Sequence, residues 1–242
     1  MHNFLHIEET KLDEPIYRIF SVERFLQLLS SGKLTLVKPH MWDDPFENLL
    51  LTSKFITASN EEASFETQNS VYGQCWTLHA ETDAMWRIYS LHKNGVRVKT
   101  TPRKLLTALH HNIPMHPELS GFIGKVQYAK DELILKENLE KINLMKADGT
   151  GLAESLLYKR HEFSHEQEVR LIYLGKDGAC VDDIFNFLIN SNELFENIMF
   201  DPRMDKSLQQ TYQKCIETLG CKVKVECSTL YDLPKDFTFN LK

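Results

Sequence analysis

The chain has 242 residues, of which 42% are hydrophobic and 26% charged, and its formal net charge is -6. This is the composition of a globular protein long enough to bury a sizeable core, not of a disordered or low-complexity chain. The acidic balance provides no global basic field for nucleic acid, and no apolar run approaches the roughly 20 residues that span a bilayer.

Taken in order, residues 1–14 are polar and acidic and read as a loose lead-in. Residues 16–20 alternate and are rich in β-formers, which predicts a strand. Ser21 is the expected N-cap of a helix over 22–30, with Val22, Phe25, Leu26 and Leu29 on one face and Gly32 as its C-terminal stop. A second strand is expected at 33–37. Pro39 stops it, and a compact loop over 41–47 follows, with Asp44-Pro45 as a turn. Residues 48–58 fit helix or strand, and 59–70 read as exposed and polar.

Residues 71–78 are β-like, 81–89 helical, and Asn94-Gly95 turns into a strand over 96–99. Thr101-Pro102 opens a helix that runs to about His111. A strand is expected at 124–128 and a charged amphipathic helix over 131–147, broken by Gly149 and Gly151. Then come a helix over 152–163, a strand over 167–174, a helix over 182–194, a short strand at 198–200, a helix over 206–219 stopped by Gly220, and a last strand over 221–227. Strands and helices mix without a regular βαβ rhythm, so the expected class is α+β. The simplest organisation is one domain over 1–242, with a helical insertion near 129–150 as an option.

The five cysteines, Cys75, Cys180, Cys215, Cys221 and Cys227, are odd in number and lack C-x-x-C spacing. No basic region followed by a long apolar run opens the chain, so reduced thiols in a cytoplasmic protein are expected. Neither a Gly-rich dinucleotide fingerprint nor a P-loop is present.

Two constellations compete for the chemistry. His161-Glu162-Phe163-Ser164-His165 matches H-E-x-x-H, which on an α-helix would put two imidazoles on a zinc ion with Glu162 activating its water. The bland alternative is two polar histidines in a helix-to-strand joint, with no metal bound. The second constellation is Glu166-Gln167-Glu168-Val169-Arg170. In extended chain both acids would point to one side of the strand. The bland alternative there is a solvated polar face opposite Val169, Leu171 and Tyr173. Cys75 in its apolar context reads as packing rather than as a nucleophile.

The combination of Tyr17-Arg18, Asp44-Pro45-Phe46-Glu47, Met85-Trp86-Arg87-Ile88-Tyr89 and Glu166-Gln167-Glu168-Val169-Arg170 resembles an uncharacterised prokaryotic domain family. The resemblance extends over nearly the whole chain, to Asp201-Pro202-Arg203 and Ser228-Thr229-Leu230-Tyr231. The order of Arg18, Cys75-Trp76-Thr77 and Glu166-Gln167-Glu168 is also similar to the Arg–Ser/Thr–Glu type of the ADP-ribosyltransferase superfamily, although in the middle element only Thr77 keeps a hydroxyl. That resemblance implies a split β-sheet core with surrounding helices and an NAD-dependent transferase of the glycosyltransferase class. In such an enzyme Glu168 would stabilise the ribosyl cation, Glu166 would orient or deprotonate the nucleophile, and Arg18 would pair with the pyrophosphate. Thr77 would hold the strand edge or touch the ribose, and Tyr17, Trp76, Trp86 or Tyr89 would stack on nicotinamide. It further implies a protein or nucleic acid acceptor, a role as a bacterial toxin or anti-phage defence effector, and a neutralising antitoxin as partner, with no membrane. The alternatives are a zinc hydrolase built on His161, Glu162 and His165, and a non-enzymatic binding module.

Overall fold

The computed structural model describes residues 3–56, 62–63, 70–113, 115–175, 180–233 and 238. The expected exposure of 59–70 falls mostly outside them. An 11-stranded sheet runs through the centre, in the order Phe4–Leu5, Gly121–Lys125, Glu168–Leu174, Val71–Thr77, Ile16–Ser21, Gly95–Thr100, Asn197–Phe200, Val225–Glu226. A branch leaves this path: Lys33–Val37 also pairs with Val71–Thr77, and carries Ile184–Leu188 and Cys180–Val181 beyond it.

The branch splits the sheet. Val71–Thr77 gives one edge to Glu168–Leu174 over seven residue pairs. Its other edge is shared by two strands, each of which touches it once: Tyr17 opposes Thr77 and Val37 opposes Gly73. The helix Val22–Ser31 joins these two strands. Ser21 Oγ accepts its Arg24 amide at 3.3 Å, Val22, Phe25 and Leu28 are buried, and Gly32 ends it at a positive φ of 63° that glycine adopts without steric cost. The helix displaces the outgoing strand from the incoming one, and a gap opens between them along the shared edge.

Alternation on Glu168–Leu174 sorts its side chains between the two faces. Val169, Leu171 and Tyr173 join Tyr72, Trp76, Phe185 and Ile198 in the main core. Ile172 packs on the opposite face with Phe122, Leu156 and Leu157. The face of Ile172 also carries Glu168 and Arg170, and both are buried.

Several sequence expectations give way to tertiary structure. The lead-in is not loose: Phe4 and Leu5 pair in parallel with Ile123 and Gly124, Asn3 donates to the carbonyls of Glu118 and Gly121, and Leu12 is buried. Of the stretch 48–58, the described residues 48–56 hold a short helix, Leu49–Thr52, and a strand, Phe55–Ile56. The strand expected at 124–128 is two, Gly121–Lys125 and Gln127–Ala129. The helix expected over 131–147 is Glu132–Glu140 only. That expected over 152–163 ends at Glu154, and Tyr158–Arg160 becomes a strand paired in parallel with Gln127–Ala129. The region 182–194 is a hairpin turning at Asp182, followed by one helical turn, Ser191–Leu194. Its Phe185 and Phe187 are buried at a spacing of two, and Phe185 stacks on Tyr173 with centroids 4.0 Å apart, so period two overrides the helical pattern. The last strand shrinks to Val225–Glu226. No helix among the described residues is long and apolar enough to cross a membrane.

Leu171, fully buried between strands on both sides, makes the core testable. Leu171→Ala is expected to lower unfolding free energy by about 2–5 kcal/mol in urea titration. A change of only a few tenths would place the core elsewhere.

Candidate active site in the split sheet

A cleft of about 610 Å³ opens at the gap. Tyr17, Arg18, Trp76, Thr77, Tyr89, Glu166 and Glu168 all line it, so residues far apart in the chain meet there. Trp86 does not: it is buried, and its indole N–H donates to Glu81 Oε1 at 2.8 Å. The stacking expected of Trp86 therefore has no ring to supply it. Trp76 reaches the lining from the main core, with its indole N–H on Gln74 Oε1 at 2.9 Å.

The gap is stitched by side chains where backbone pairing fails. The Arg18 guanidinium donates to the carbonyl of Cys75, and Gln74 Nε2 donates to the carbonyl of Thr35 at 2.9 Å. Arg18 Nε is buried without a partner. Burial pulls the Arg18 pKa down, against the opposing pull of Cys75, Tyr89 and Glu168.

The two acids do not share one run of extended chain. Glu166 ends the 3-10 segment His161–Glu166, Gln167 sits in the left-handed region at φ 44°, and the strand begins at Glu168. That conformation costs a non-glycine residue on the order of 1 kcal/mol. It is held by Gln167 Nε2 on the Ser164 carbonyl at 2.9 Å and by the Leu78 amide on the Gln167 carbonyl at 3.0 Å. The kink brings both carboxylates to one ammonium. Thr77 fixes the joint by donating its hydroxyl to the Glu166 carbonyl at 2.5 Å.

The charges form one buried array. Lys159 Nζ lies 2.7 Å from Glu47 Oε1, 2.5 Å from Glu166 Oε2 and 3.5 Å from Glu168 Oε2. Arg170 meets Glu47 Oε2 at 2.7 Å and Glu168 Oε2 at 2.8 Å, and its guanidinium lies 4.5 Å from the centroid of the Trp42 ring. Tyr89 donates its hydroxyl to Glu166 Oε1 at 3.0 Å. Burial pushes the Glu168 pKa up, but Arg170 and Lys159 outweigh it and hold the carboxyl near 2. Burial, helped by Glu168, pushes Glu47 the other way. Lys159 stays protonated because its carboxylates outweigh its burial. Burial and then Glu168 hold the Cys75 thiol well above its usual range, so it is no thiolate nucleophile at neutral pH.

Lys159, Glu47 and Trp42 also line the cleft, though the sequence places none of them among the catalytic or cofactor-binding residues. Each was present in a recognisable segment. Trp42 lies so close to the sheet that a Cβ on Gly73 would come within 2.5 Å of its ring, so Gly73 is what admits it. The H-E-x-x-H reading fails on geometry. The segment is 3-10 rather than α-helical, so residues four apart are not aligned on one side. His165 Nδ1 lies 3.1 Å from the Glu162 carbonyl, and among the described residues no group of three His, Cys, Asp or Glu is disposed to hold a metal.

The architecture is thus α+β with a split sheet, and the candidate site sits in the split. A family model described as a protein of unknown function (DUF2971) matches residues 85–171, the stretch that carries Tyr89, Lys159, Glu166, Glu168 and Arg170. Among solved structures the chain is similar to Thermus sp. 2.9 DarT in complex with carba-NAD+, at 13% identity over 91% of this chain and 96% of that one, TM-score 0.39. It is also similar to the same protein in complex with NAD+ (11%, 88% and 96%, TM-score 0.40) and with ADP-ribosylated ssDNA (11%, 93% and 96%, TM-score 0.43). No curated protein matches.

The signs of the pKa shifts give an acid-stability test. The folded-state pKa of Glu168 is depressed from 4.5 to about 2, so its stabilisation is complete above about pH 4.5 and is lost as pH falls towards 2. Glu168→Gln should cost about 3–5 kcal/mol at pH 7 and flatten the acid arm of unfolding free energy against pH. An acid arm of unchanged slope would remove Glu168 from the array.

Proposed function

We propose that the cleft catalyses transfer of ADP-ribose from NAD. The observation that carries this reading is a buried, ionised Glu168 lining the same cleft as an Arg18 guanidinium that still has an unpartnered N–H. Breaking the bond between ribose C1′ and the nicotinamide nitrogen sends its electron pair to the ring, leaving positive charge on the sugar. A fixed carboxylate stabilises that charge without reorganisation. Both cations contact Oε2 of Glu168, which leaves Oε1 as the oxygen without a cation. The new bond forms between C1′ and the acceptor nucleophile, whose proton passes to Glu166.

The lining fits NAD in kind. Its volume lies in the range of small-molecule sites. Arg18 supplies a guanidinium for the diphosphate. Tyr17, Trp42, Tyr89 and Phe163 line the cleft and supply rings for a planar base. Thr77 has a narrower role than ribose contact, since its hydroxyl is spent on the Glu166 carbonyl and on the His79 amide at 3.1 Å. A nucleic acid acceptor would meet a protein of net charge -6, so its affinity would come from local contacts rather than a global field.

Purified protein incubated with NAD is expected to release nicotinamide, and Glu168→Gln to lower that rate by at least about 100-fold. Equal turnover by both proteins would end the assignment. Arg18→Lys keeps the charge but loses the fork, and should raise KM for NAD by about tenfold with a smaller change in kcat. If KM stays the same, Arg18 is a sheet stitch and nothing more.

A further inference from the structure

Among the described residues the Lys159 ammonium touches three of the four buried acids that line the cleft, Glu47, Glu166 and Glu168, and its side chain is only 5% exposed. We infer that Lys159 is the positioning residue of this site: a single buried cation that ties Glu166 and Glu168 to Glu47 and fixes which carboxylate oxygens face the reacting atoms. The inference rests on the transferase reading for its use in turnover, but not for its structural content.

The geometry gives the tie its direction. Glu166 spends Oε2 on Lys159, and its Oε1 is turned to the Tyr89 hydroxyl and the cleft. Lys159 and Arg170 share Glu47 between them, one on each carboxylate oxygen, so Glu47 holds the two cations at a set spacing. Glu168 is then met by both on Oε2. Glu47 comes from the Pro45–Asn48 turn, where Asp44 caps the Phe46 amide at 3.1 Å and pairs with Arg160 at 2.9 Å. Adjacent Lys159 and Arg160 therefore clamp Glu47 and Asp44, two acids of one turn, against the cleft. The charges facing Lys159 are Glu47, Glu166, Glu168 and Arg170. Tyr89 touches Glu166 without charge, the Tyr128 hydroxyl accepts the Glu168 amide at 2.9 Å, and Tyr17, Arg18, Asp43, Asp44, Cys75 and His165 complete the titratable lining.

Three carboxylates against two cations is a near balance. Removing the ammonium leaves Glu47 and Glu168 on Arg170 and Glu166 with no cation, and the array must take up a proton or move apart. Removing Glu47 as well restores the balance, because one charge of each sign has gone. A merely space-filling lysine would show no such compensation.

The test compares wild type, Lys159→Met and the double variant Glu47→Gln/Lys159→Met. The Glu168 carboxyl is titrated by carbon-13 NMR, with its resonance assigned by loss in Glu168→Gln, and nicotinamide release from NAD is followed across pH. In Lys159→Met the Glu168 midpoint should rise by at least about one unit, and the acid limb of the release profile should move up in pH by the same amount. The double variant should return both towards wild type. An unchanged midpoint in Lys159→Met, or a double variant no closer to wild type, overturns the inference. Should Lys159→Met fail to fold, the double variant is expected to fold and titrate as wild type, and its failure also overturns it. Wild type that releases no nicotinamide sinks the transferase reading alone, since the carboxyl titration still decides the role of Lys159.

Discussion

The contact on which the molecule turns is the Arg18 guanidinium on the Cys75 carbonyl. A sheet whose one edge is claimed by two diverging strands leaves peptide groups between them with no ladder partner. Buried and unpaired, each would cost on the order of 1–3 kcal/mol. Arg18 reaches across from one strand, and the Gln74 amide reaches the Thr35 carbonyl on the other. The break that opens the cleft thus also recruits a guanidinium to its wall. Site and fold share this cause.

A buried cation at the gap would be unfavourable in isolation, and the rest of the site answers it. Burial lowers the Arg18 pKa, while Glu168 and Tyr89 work to restore it. Beyond them lies the array of Glu47, Lys159, Glu166, Glu168 and Arg170, in which no acid or base has only one partner. Such arrays add little to stability compared with well-packed apolar groups, and breaking one member is costly. Here the sheet face that carries Glu168 and Arg170 could have been filled by apolar side chains, as the opposite face is by Val169, Leu171 and Tyr173. The desolvation cost is borne at the place where the proposed transfer would use a fixed negative charge in a low-dielectric cleft.

The sequence made the long-range pattern legible and hid the joints. Strand 16–20, the helix after Ser21, and the apolar alternation of 169, 171 and 173 follow from period and caps, and the structure keeps them. The hairpin at Cys180–Leu188 was misread because its acidic pair Asp182-Asp183 resembles a helix start, whereas the phenylalanine spacing that decides it depends on Tyr173 across the sheet. At the site, Arg18 and Glu168 were visible as residue types in a known order. The tie that Lys159 makes to the acids was not, because it depends on the parallel pairing of Tyr158–Arg160 with Gln127–Ala129, which no local signal announces. Trp86 shows the converse error: aromatic spacing on a helix indicates a ring without saying which way it points, and here it points to Glu81.

The kink at Gln167 explains why Glu166 and Glu168 can do different work. In a regular strand both carboxylates would stand on one face at equivalent depth, each repelling the other. The left-handed residue between them rotates Glu166 out of register, so that Tyr89 and Lys159 hold it while Arg170 and Lys159 hold Glu168. One carboxylate is thereby fixed on a cation-bound oxygen facing the sheet, and the other is linked through a phenol to the mouth of the cleft, where Tyr89 is 45% exposed. The proposed transfer needs one negative group at the sugar and another on the path of the incoming nucleophile's proton. The strained residue separates those two requirements in space, and the Thr77 hydroxyl on the Glu166 carbonyl keeps the strain from relaxing back into strand.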